Sequence, residues 1–152
     1  MPTGWRIVKT ARLATAFDGE GARLHGGRWN SPGTALVYTA ESQALAALEL
    51  LVHLQSSQLL LSFSAVPASF DGRSVEALDP GRLPRGWRRY PAPPALQQIG
   101  DRWAAELRSA VLQVPSAIVP DERNFLLNPA HPDFKKIRIG PPAPFEYDAR
   151  LK

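Results

Sequence analysis

The segment from Ala44 to Leu54 constrains the fold more than any other part of the chain. Its residues favour a helix, and apart from Glu49 and His53 every one of them is apolar. A helix that is hydrophobic on nearly all sides is normally buried rather than laid on the surface. The segment therefore predicts a core helix that carries one carboxylate into an apolar environment.

Glu49 needs a specific explanation at that position. Its helical neighbours on the same face are Leu45, Ala46, Val52 and His53. Burying an unpaired carboxylate costs several kcal/mol, which is comparable with the net stability of a small domain. Two interpretations remain open: a structural carboxylate bonded to a buried arginine or to backbone N–H groups, or a functional one kept dry to face developing positive charge.

A glycine-rich motif precedes this helix. It reads Gly26-Gly27-Arg28-Trp29-Asn30-Ser31-Pro32-Gly33 and leads into a short β-prone run that carries Tyr38. The glycine pair allows close approach of the backbone, and the planar fork of Arg28 suits an anion. The preceding glycine-rich loop, residues 16–25, lacks the third glycine of a dinucleotide fingerprint. We therefore expect an anion site that is not of the Rossmann type.

The rest of the chain mixes short apolar runs with one amphipathic pattern. A helix starting at Pro94 or Ala95 would place five apolar residues on one face: Leu96, Ile99, Trp103, Leu107 and Ala110. We predict strands at residues 5–8, 59–66, 111–119, 135–139 and 145–151, and loops at 16–25, 79–94 and 120–134. Regular βαβ spacing and repeats are absent, which predicts an α+β fold with a mostly antiparallel sheet in a single domain, residues 1–152.

Composition excludes several classes of protein. An apolar content of 44% argues against intrinsic disorder, and the lack of cysteine excludes disulfides and cysteine nucleophiles. The histidines are too scattered to predict a metal site. No secretory signal is evident and polar residues interrupt the uncharged stretch 50–70, so we expect a cytoplasmic protein without a membrane span. The net charge of +4 favours an anionic ligand or an acidic partner.

Three blocks, in order, resemble the RES domain family. The first joins Gly27-Arg28-Trp29-Asn30 to Pro32-Gly33 and Tyr38, the second is the alanine-rich run to Glu49, and the third runs from Val114-Pro115-Ser116 to His131-Pro132. The resemblance spans about Trp5 to Leu151 and matches the arginine, glutamate and serine that name the family to Arg28, Glu49 and Ser116, with Tyr38 as the family's tyrosine.

That resemblance implies a fold similar to ADP-ribosyltransferase toxins. It also implies the toxin of a type II toxin–antitoxin pair that uses NAD+ as substrate, without a metal, by hydrolysis, phosphorolysis or transfer of ADP-ribose. A helix-turn-helix (Xre-type) antitoxin would neutralise it. No such motif is readable in this chain, so we expect the antitoxin to be a separate protein that covers the active site and inserts an element near Arg28. The acceptor of the ADP-ribose and the oligomeric state stay open.

The chemistry suits these residues. Nicotinamide leaves NAD+ as a neutral molecule, so no general acid is needed, and a carboxylate such as Glu49 can stabilise the oxocarbenium-like transition state. Arg28 would bind the pyrophosphate and Tyr38 would face the nicotinamide. The predicted catalytic residues are Glu49, Arg28 and Tyr38, and the predicted nucleotide-binding residues are Arg28, Tyr38, Ser116, Arg6, Asn30 and His53.

The residues alone also permit other interpretations. Arg28 and Glu49 would suit a structural salt bridge, Tyr38 a core position with a bonded hydroxyl, and Ser116 a strand entry. The basic and aromatic loop from Arg82 to Tyr90 would suit a non-catalytic module that docks a partner, although direct nucleic-acid binding is not favoured. A ribonuclease using His131 and Glu122 lacks a clear base–acid pair, so this interpretation is the weakest.

Overall fold

The computed structural model describes residues 1–151 and is built on one curled eight-stranded sheet. The strands are β1 (Thr3–Lys9), β2 (Val37–Ala40), β3 (Phe63–Ser69), β4 (Val75–Ala77), β5 (Val111–Pro115), β6 (Arg123–Leu127), β7 (Arg138–Ile139) and β8 (Ala143–Phe145). Their order is β4-β5-β6-β2-β1-β3-β7, with β8 also beside β3. Only the β4–β5 pair is parallel among the described strands, which confirms the α+β class with a mostly antiparallel sheet.

The predicted helix forms as α2 (Gln43–Leu51). The sequence predicted burial on nearly all sides, but one side of α2 faces solvent, where Leu48 is 39% exposed. Ser42 caps it, because its side chain accepts a hydrogen bond from the backbone N–H of Leu45 at 3.1 Å. Leu45 and Ala46 are buried in a cluster with residues of β1, β2 and β3. The helix ends at Leu51, before His53. Neither α2 nor any other helix within residues 1–151 has the length and apolarity needed to span a membrane.

The amphipathic pattern forms α3 (Pro94–Ala105), which starts with a proline at its first position. Leu96 and Trp103 are fully buried against residues of β5 and β6. Gly100 lets α3 approach the buried Trp29 closely: a Cβ atom at this glycine would lie 1.8 Å from the Trp29 carbonyl oxygen. The motif that contains Trp29 is therefore packed directly on α3.

The register of the central strands places α2 and α3 on the same face of the sheet. Ala40 pairs with Asn124, and Tyr38 pairs with Leu126. Residues two apart on a strand share a face, as do residues paired across strands. Ala40 packs in the cluster around α2, whereas Tyr38 and Leu126 pack in the cluster around α3. The two helices consequently flank the part of β2 and β6 where Tyr38 and Asn124 lie.

One predicted loop, residues 120–134, is wrong, because it contains the central strand β6. Prolines, aspartate and asparagines around Phe125-Leu126-Leu127 favour a loop in sequence-based reasoning. The strand lies between β5 and β2 and is buried on both faces, so its apolar residues are consecutive instead of alternating. Periodicity therefore gave no strand signal.

Other predicted boundaries also need correction. The expected loop 16–25 contains a short helix, α1 (Glu20–His25), which Gly19 begins at a φ of 75°. The strand predicted at 59–66 starts at Phe63, after a 3₁₀ segment (Ser56–Leu60). The strand predicted at 111–119 stops at Pro115. The strand predicted at 135–139 is reduced to β7, which follows the 3₁₀ segment Pro132–Lys136. The strand predicted at 145–151 shares only Phe145 with β8, and its end forms the 3₁₀ segment Ala149–Leu151.

The close contact at Gly100 generates a stability prediction. Gly100→Ala should destabilise the protein by about 1–3 kcal/mol, because the new methyl group would overlap a backbone carbonyl that cannot move freely. Alanine's higher helix propensity acts in the opposite direction by up to about 1 kcal/mol. Chemical denaturation measures the difference.

Gly21→Ala in α1 is the matched control, because nothing lies within 4 Å of a Cβ atom built there. This control should be neutral or slightly stabilising. Equal stability of the Gly100→Ala variant and the wild type would contradict the packing described here.

Candidate active site

Glu49 projects from α2 and is held by two neutral donors. Ser116 Oγ donates to its Oε2 at 2.8 Å, and Asn124 Nδ2 donates to its Oε1 at 2.7 Å. The Ser116 side chain is fully buried and Asn124 is 8% exposed. Within residues 1–151 Glu49 forms no ion pair. The structural salt bridge with Arg28, which the sequence left open, is therefore not present.

The environment of Glu49 raises the pKa of its carboxyl group. Burial is the largest cause, the hydrogen bonds from Ser116 and Asn124 act in the opposite direction, and the charge of Glu122 raises the pKa further. Residues 1–151 thus orient the carboxylate with dipoles but do not supply a countercharge. A cationic group brought next to Glu49 would be stabilised there.

Ser116 is itself fixed by the turn that follows β5. Its Oγ accepts hydrogen bonds from the backbone N–H groups of Ile118 and Val119 at 3.1 and 3.2 Å. Since these two contacts occupy the acceptor side of the hydroxyl, its proton is directed to Glu49. Ser116, predicted from the sequence as a nucleotide-binding residue, therefore contacts the glutamate.

Asn124 is a site residue that the sequence analysis did not assign. It lies at the start of β6, and its amide also donates to the carbonyl oxygen of Thr39 at 3.2 Å. The sequence feature that could have identified it is a polar side chain directly before the apolar run Phe125-Leu126-Leu127, because a buried amide needs hydrogen-bond partners. The signal was hidden by the loop prediction for this segment.

The loop that carries Arg28 is braced from inside by Tyr38 and Asn30. Tyr38 Oη accepts from the backbone N–H of Trp29 at 2.9 Å and donates to Asn30 Oδ1 at 2.6 Å. Burial raises the pKa of the Tyr38 hydroxyl, which keeps it protonated as a donor. Gly27 makes room for this contact, since a Cβ atom there would lie 2.6 Å from Tyr38 Oη. Tyr38 and Asn30 therefore position the loop, and their polar atoms point into it.

Helix α3 supports the same loop from its other side. Gln97 Nε2 donates to the carbonyl oxygen of Gly27 at 3.0 Å. Asp101 accepts from the backbone N–H of Ser31 at 2.9 Å and also from the hydroxyl of that serine. Together with the close packing at Gly100, these contacts fix the backbone on both sides of Arg28.

Arg28 is half-buried, and only part of its guanidinium is used by the protein. Nη1 donates to the carbonyl oxygens of Trp87 and Arg89, both at 2.9 Å. Burial is the main cause that lowers its pKa, but a guanidinium is so strongly basic that it remains charged. In the described part of the chain no carboxylate lies within ion-pairing distance of it, and Nε and Nη2 make no hydrogen bond. One edge of the guanidinium fork is thus free for an anion.

Arg6 and His53 are placed differently from the other candidates. Arg6 alternates with Trp5 and Ile7 on β1, so it faces away from α2, and its guanidinium donates to the carbonyl oxygens of Ala16 and Tyr38 at 2.6 and 3.0 Å. His53 is exposed in the turn after α2. No hydrogen bond within residues 1–151 joins either of them to Glu49, and the site proposed below does not include them.

Two further observations bear on possible ligands. Residues 1–151 contain no group of three or more histidines, aspartates or glutamates that could hold a metal ion. A surface cavity of about 600 Å³ lies between residues 59–64 and 142–147, and neither Glu49 nor Arg28 lines it. This cavity is therefore separate from the carboxylate and the arginine described above.

Fold and site together define a small α+β protein in which a half-buried carboxylate, without an ion pair in residues 1–151, and a partly free arginine lie on elements that flank the same strands. The chain belongs to the RES domain family, whose model matches residues 3–148. This confirms the resemblance found in the sequence.

Similar proteins cover almost the full length of the chain. A protein of Sphingobium sp. (strain YBL2), called Prs ADP-ribosylating toxin, is 45% identical over 97% of this chain and 94% of its own length. A protein of Yersinia enterocolitica called Toxin Res is 41% identical over 97% of this chain and 98% of its own length. In the crystal structure of the M. tuberculosis MbcT–MbcA toxin–antitoxin complex, one chain is similar with a TM-score of 0.77. The match covers 95% of this chain and 84% of that one at 19% identity, which shows a shared fold.

The raised pKa of Glu49 predicts how Glu49→Gln changes stability with pH. In the wild type the folded state keeps this proton to a higher pH than the unfolded chain does. Stability is consequently lost as pH rises from the ordinary glutamate pKa to the raised one. Glutamine does not titrate, so the stability of the variant relative to the wild type should increase across that window and stay constant above it.

Denaturation of both proteins over a series of pH values measures this difference. Glu41→Gln controls for the loss of one negative charge near the same helix. A relative stability that falls as pH rises, or that does not change with pH, would contradict the burial described for Glu49.

Proposed function

We propose that this RES-domain protein is the toxin of a toxin–antitoxin pair and that it cleaves the nicotinamide–ribose bond of NAD+. One observation carries the proposal: Glu49 and Arg28 both lack a countercharge within the described chain. NAD+ supplies both charges in one molecule, a cationic nicotinamide riboside and an anionic pyrophosphate. A ligand of this kind would explain why the two residues are kept unpaired.

At the carboxylate, the reaction breaks the bond between ribose C1′ and the nicotinamide nitrogen. The bonding electron pair leaves with nicotinamide, which becomes neutral, and positive charge develops on the ribose. Glu49, oriented by Ser116 and Asn124, stabilises that charge and accepts a hydrogen bond from a ribose hydroxyl. Water or another nucleophile then bonds to C1′ and releases a proton, which balances the reaction.

At the arginine, the free Nε/Nη2 edge of Arg28 binds the pyrophosphate. A charge-assisted hydrogen bond of this kind contributes about 1.5–3 kcal/mol, or roughly 10- to 100-fold in affinity. Tyr38 and Asn30 contribute indirectly, because their contacts hold the loop on which Arg28 is mounted.

Transfer of ADP-ribose to a protein is the second candidate function. The name of the Sphingobium relative, Prs ADP-ribosylating toxin, favours it, because that protein is 45% identical to this chain. Both functions share the cleavage step and differ only in the nucleophile. Incubation with NAD+ labelled in the adenylate half separates them: free ADP-ribose indicates water as acceptor, its 1-phosphate indicates inorganic phosphate, and labelled protein indicates transfer.

The proposed partner is an antitoxin of the helix-turn-helix type that covers Arg28 and Glu49. The toxin–antitoxin complex that shares this fold supports a protein partner, and the names of the relatives support the toxin role. An inactive complex with its antitoxin in which Arg28 stayed open to solvent would contradict this mode of inhibition.

Substitutions of the two charged residues should separate chemistry from binding. Glu49→Gln keeps the size of the side chain but removes the negative charge, so nicotinamide release should fall by about 10²-fold or more in kcat. Arg28→Ala should weaken NAD+ binding by roughly 10- to 100-fold. Nicotinamide release, measured over a range of NAD+ concentrations, gives both parameters.

Arg23→Ala is the matched control, because Arg23 is exposed on α1 and pairs with Glu20. It should leave both parameters within about twofold, as expected for an exposed ion pair. If the folded Glu49→Gln variant released nicotinamide at the wild-type rate, the proposed function would be wrong.

A further inference from the structure

The segment Gly86–Tyr90, called the strap here, connects the two charged parts of the site. Its backbone carbonyls accept the hydrogen bonds of Arg28, and its Arg88 side chain reaches the turn that follows β5. Trp87 packs partly against the cluster around α3, whereas Arg88, Arg89 and Tyr90 are exposed. The strap is thus a surface segment with few anchors.

At Arg28, the hydrogen bonds to the strap determine which edge of the guanidinium is free. The Trp87 and Arg89 carbonyls occupy both hydrogens of Nη1 at 2.9 Å. Two acceptors on one nitrogen fix the plane of the guanidinium, and the Nε/Nη2 edge has no hydrogen-bond partner among residues 1–151. A fork with a fixed plane loses less freedom when it binds an anion through two hydrogen bonds.

On the carboxylate side, Arg88 joins the strap to the support of Glu49. Arg88 Nε donates to the carbonyl oxygen of Ala117 at 2.9 Å, and Nη2 lies 3.5 Å from that of Ile118. The backbone N–H of Ile118 donates to Ser116 Oγ, which in turn donates to Glu49. A continuous path of hydrogen bonds and short backbone steps therefore runs from Arg28 to Glu49 through Arg88.

We propose that Arg88 is a positioning residue that sets the strap against the Ser116 turn and thereby holds the fork of Arg28 for the pyrophosphate. This inference rests on the proposed NAD+ cleavage. Arg88 provides the only two side-chain hydrogen bonds between the strap and residues 116–119 within the described chain. Removing it leaves the Trp87 and Arg89 carbonyls free to shift, so the orientation of Arg28 is lost while its charge remains.

Arg88→Ala tests this role, with Arg85→Ala as the control. Arg85 precedes the strap, is exposed and has no hydrogen bond or ion pair in the described part of the chain. Arg88→Ala should raise the KM for NAD+ and the Kd for ADP-ribose about tenfold, which corresponds to loss of one charge-assisted contact. Inhibition by nicotinamide, which has no phosphate, should not change. Arg88→Lys should lie between wild type and alanine, and Arg85→Ala should match wild type.

Hydrogen exchange of the ligand-free protein gives a readout that does not depend on activity. Arg88→Ala should speed exchange of the Ile118 and Val119 amides, which bond to Ser116, and Arg85→Ala should not. Wild-type exchange at these amides, or wild-type affinity for ADP-ribose in Arg88→Ala, would overturn the inference. Failure of the wild type to bind ADP-ribose or release nicotinamide would instead overturn the proposed function, and the exchange result would still decide whether Arg88 orders the turn.

Discussion

The architecture of the site depends on a carboxylate that has donors but no countercharge within residues 1–151. Glu49 lies in a mostly apolar helix, and in this part of the chain only the Ser116 hydroxyl and the Asn124 amide donate hydrogen bonds to its side chain. Both donors come from strands, or strand ends, in the sheet that α2 covers. Placing this one side chain therefore requires β5, β6 and α2 to be assembled correctly, and the burial that raises its pKa is a cost the fold carries.

The arginine is placed by a different principle. Arg28 belongs to a loop, and loops fix side chains only when their own backbone is held. Here Tyr38 and Asn30 brace the loop from within, and α3 braces it through Gln97 and the close contact at Gly100. The result is a charged group on a well-supported loop beside α3, with the carboxylate on α2 at the same face of the sheet. In the proposed function this arrangement matches the separation of charge within NAD+.

Sequence reasoning predicted the elements whose periodicity is strong and missed those whose identity depends on tertiary contacts. The apolar run around Glu49 and the amphipathic pattern after Pro94 became α2 and α3. Their burial is less complete than the patterns predicted, because Leu48 in α2 is exposed and α3 ends at Ala105, before the exposed Leu107. Strand β6 was missed, because a strand buried on both faces has no alternation.

The same distinction applies to the candidate site. Glu49 and Arg28 stood out as residue types in unusual surroundings, and Ser116 was assigned through the resemblance to the RES domain family. Asn124 depended on the register between β6 and β2. Arg6 was chosen from the sequence for its charge alone. Its actual position follows from the alternation of side chains along β1. The carbonyl contacts of the strap carry no sequence signal, because they are made by backbone atoms.

A crystal structure of the Glu49→Gln variant with NAD+ tests the central claim most directly, because slow turnover should preserve the substrate. The account predicts the pyrophosphate on the Nε/Nη2 edge of Arg28, and the ribose carbon that bears nicotinamide beside residue 49. A dinucleotide bound elsewhere, with the Arg28 edge still empty and residue 49 distant from the ribose, would contradict it.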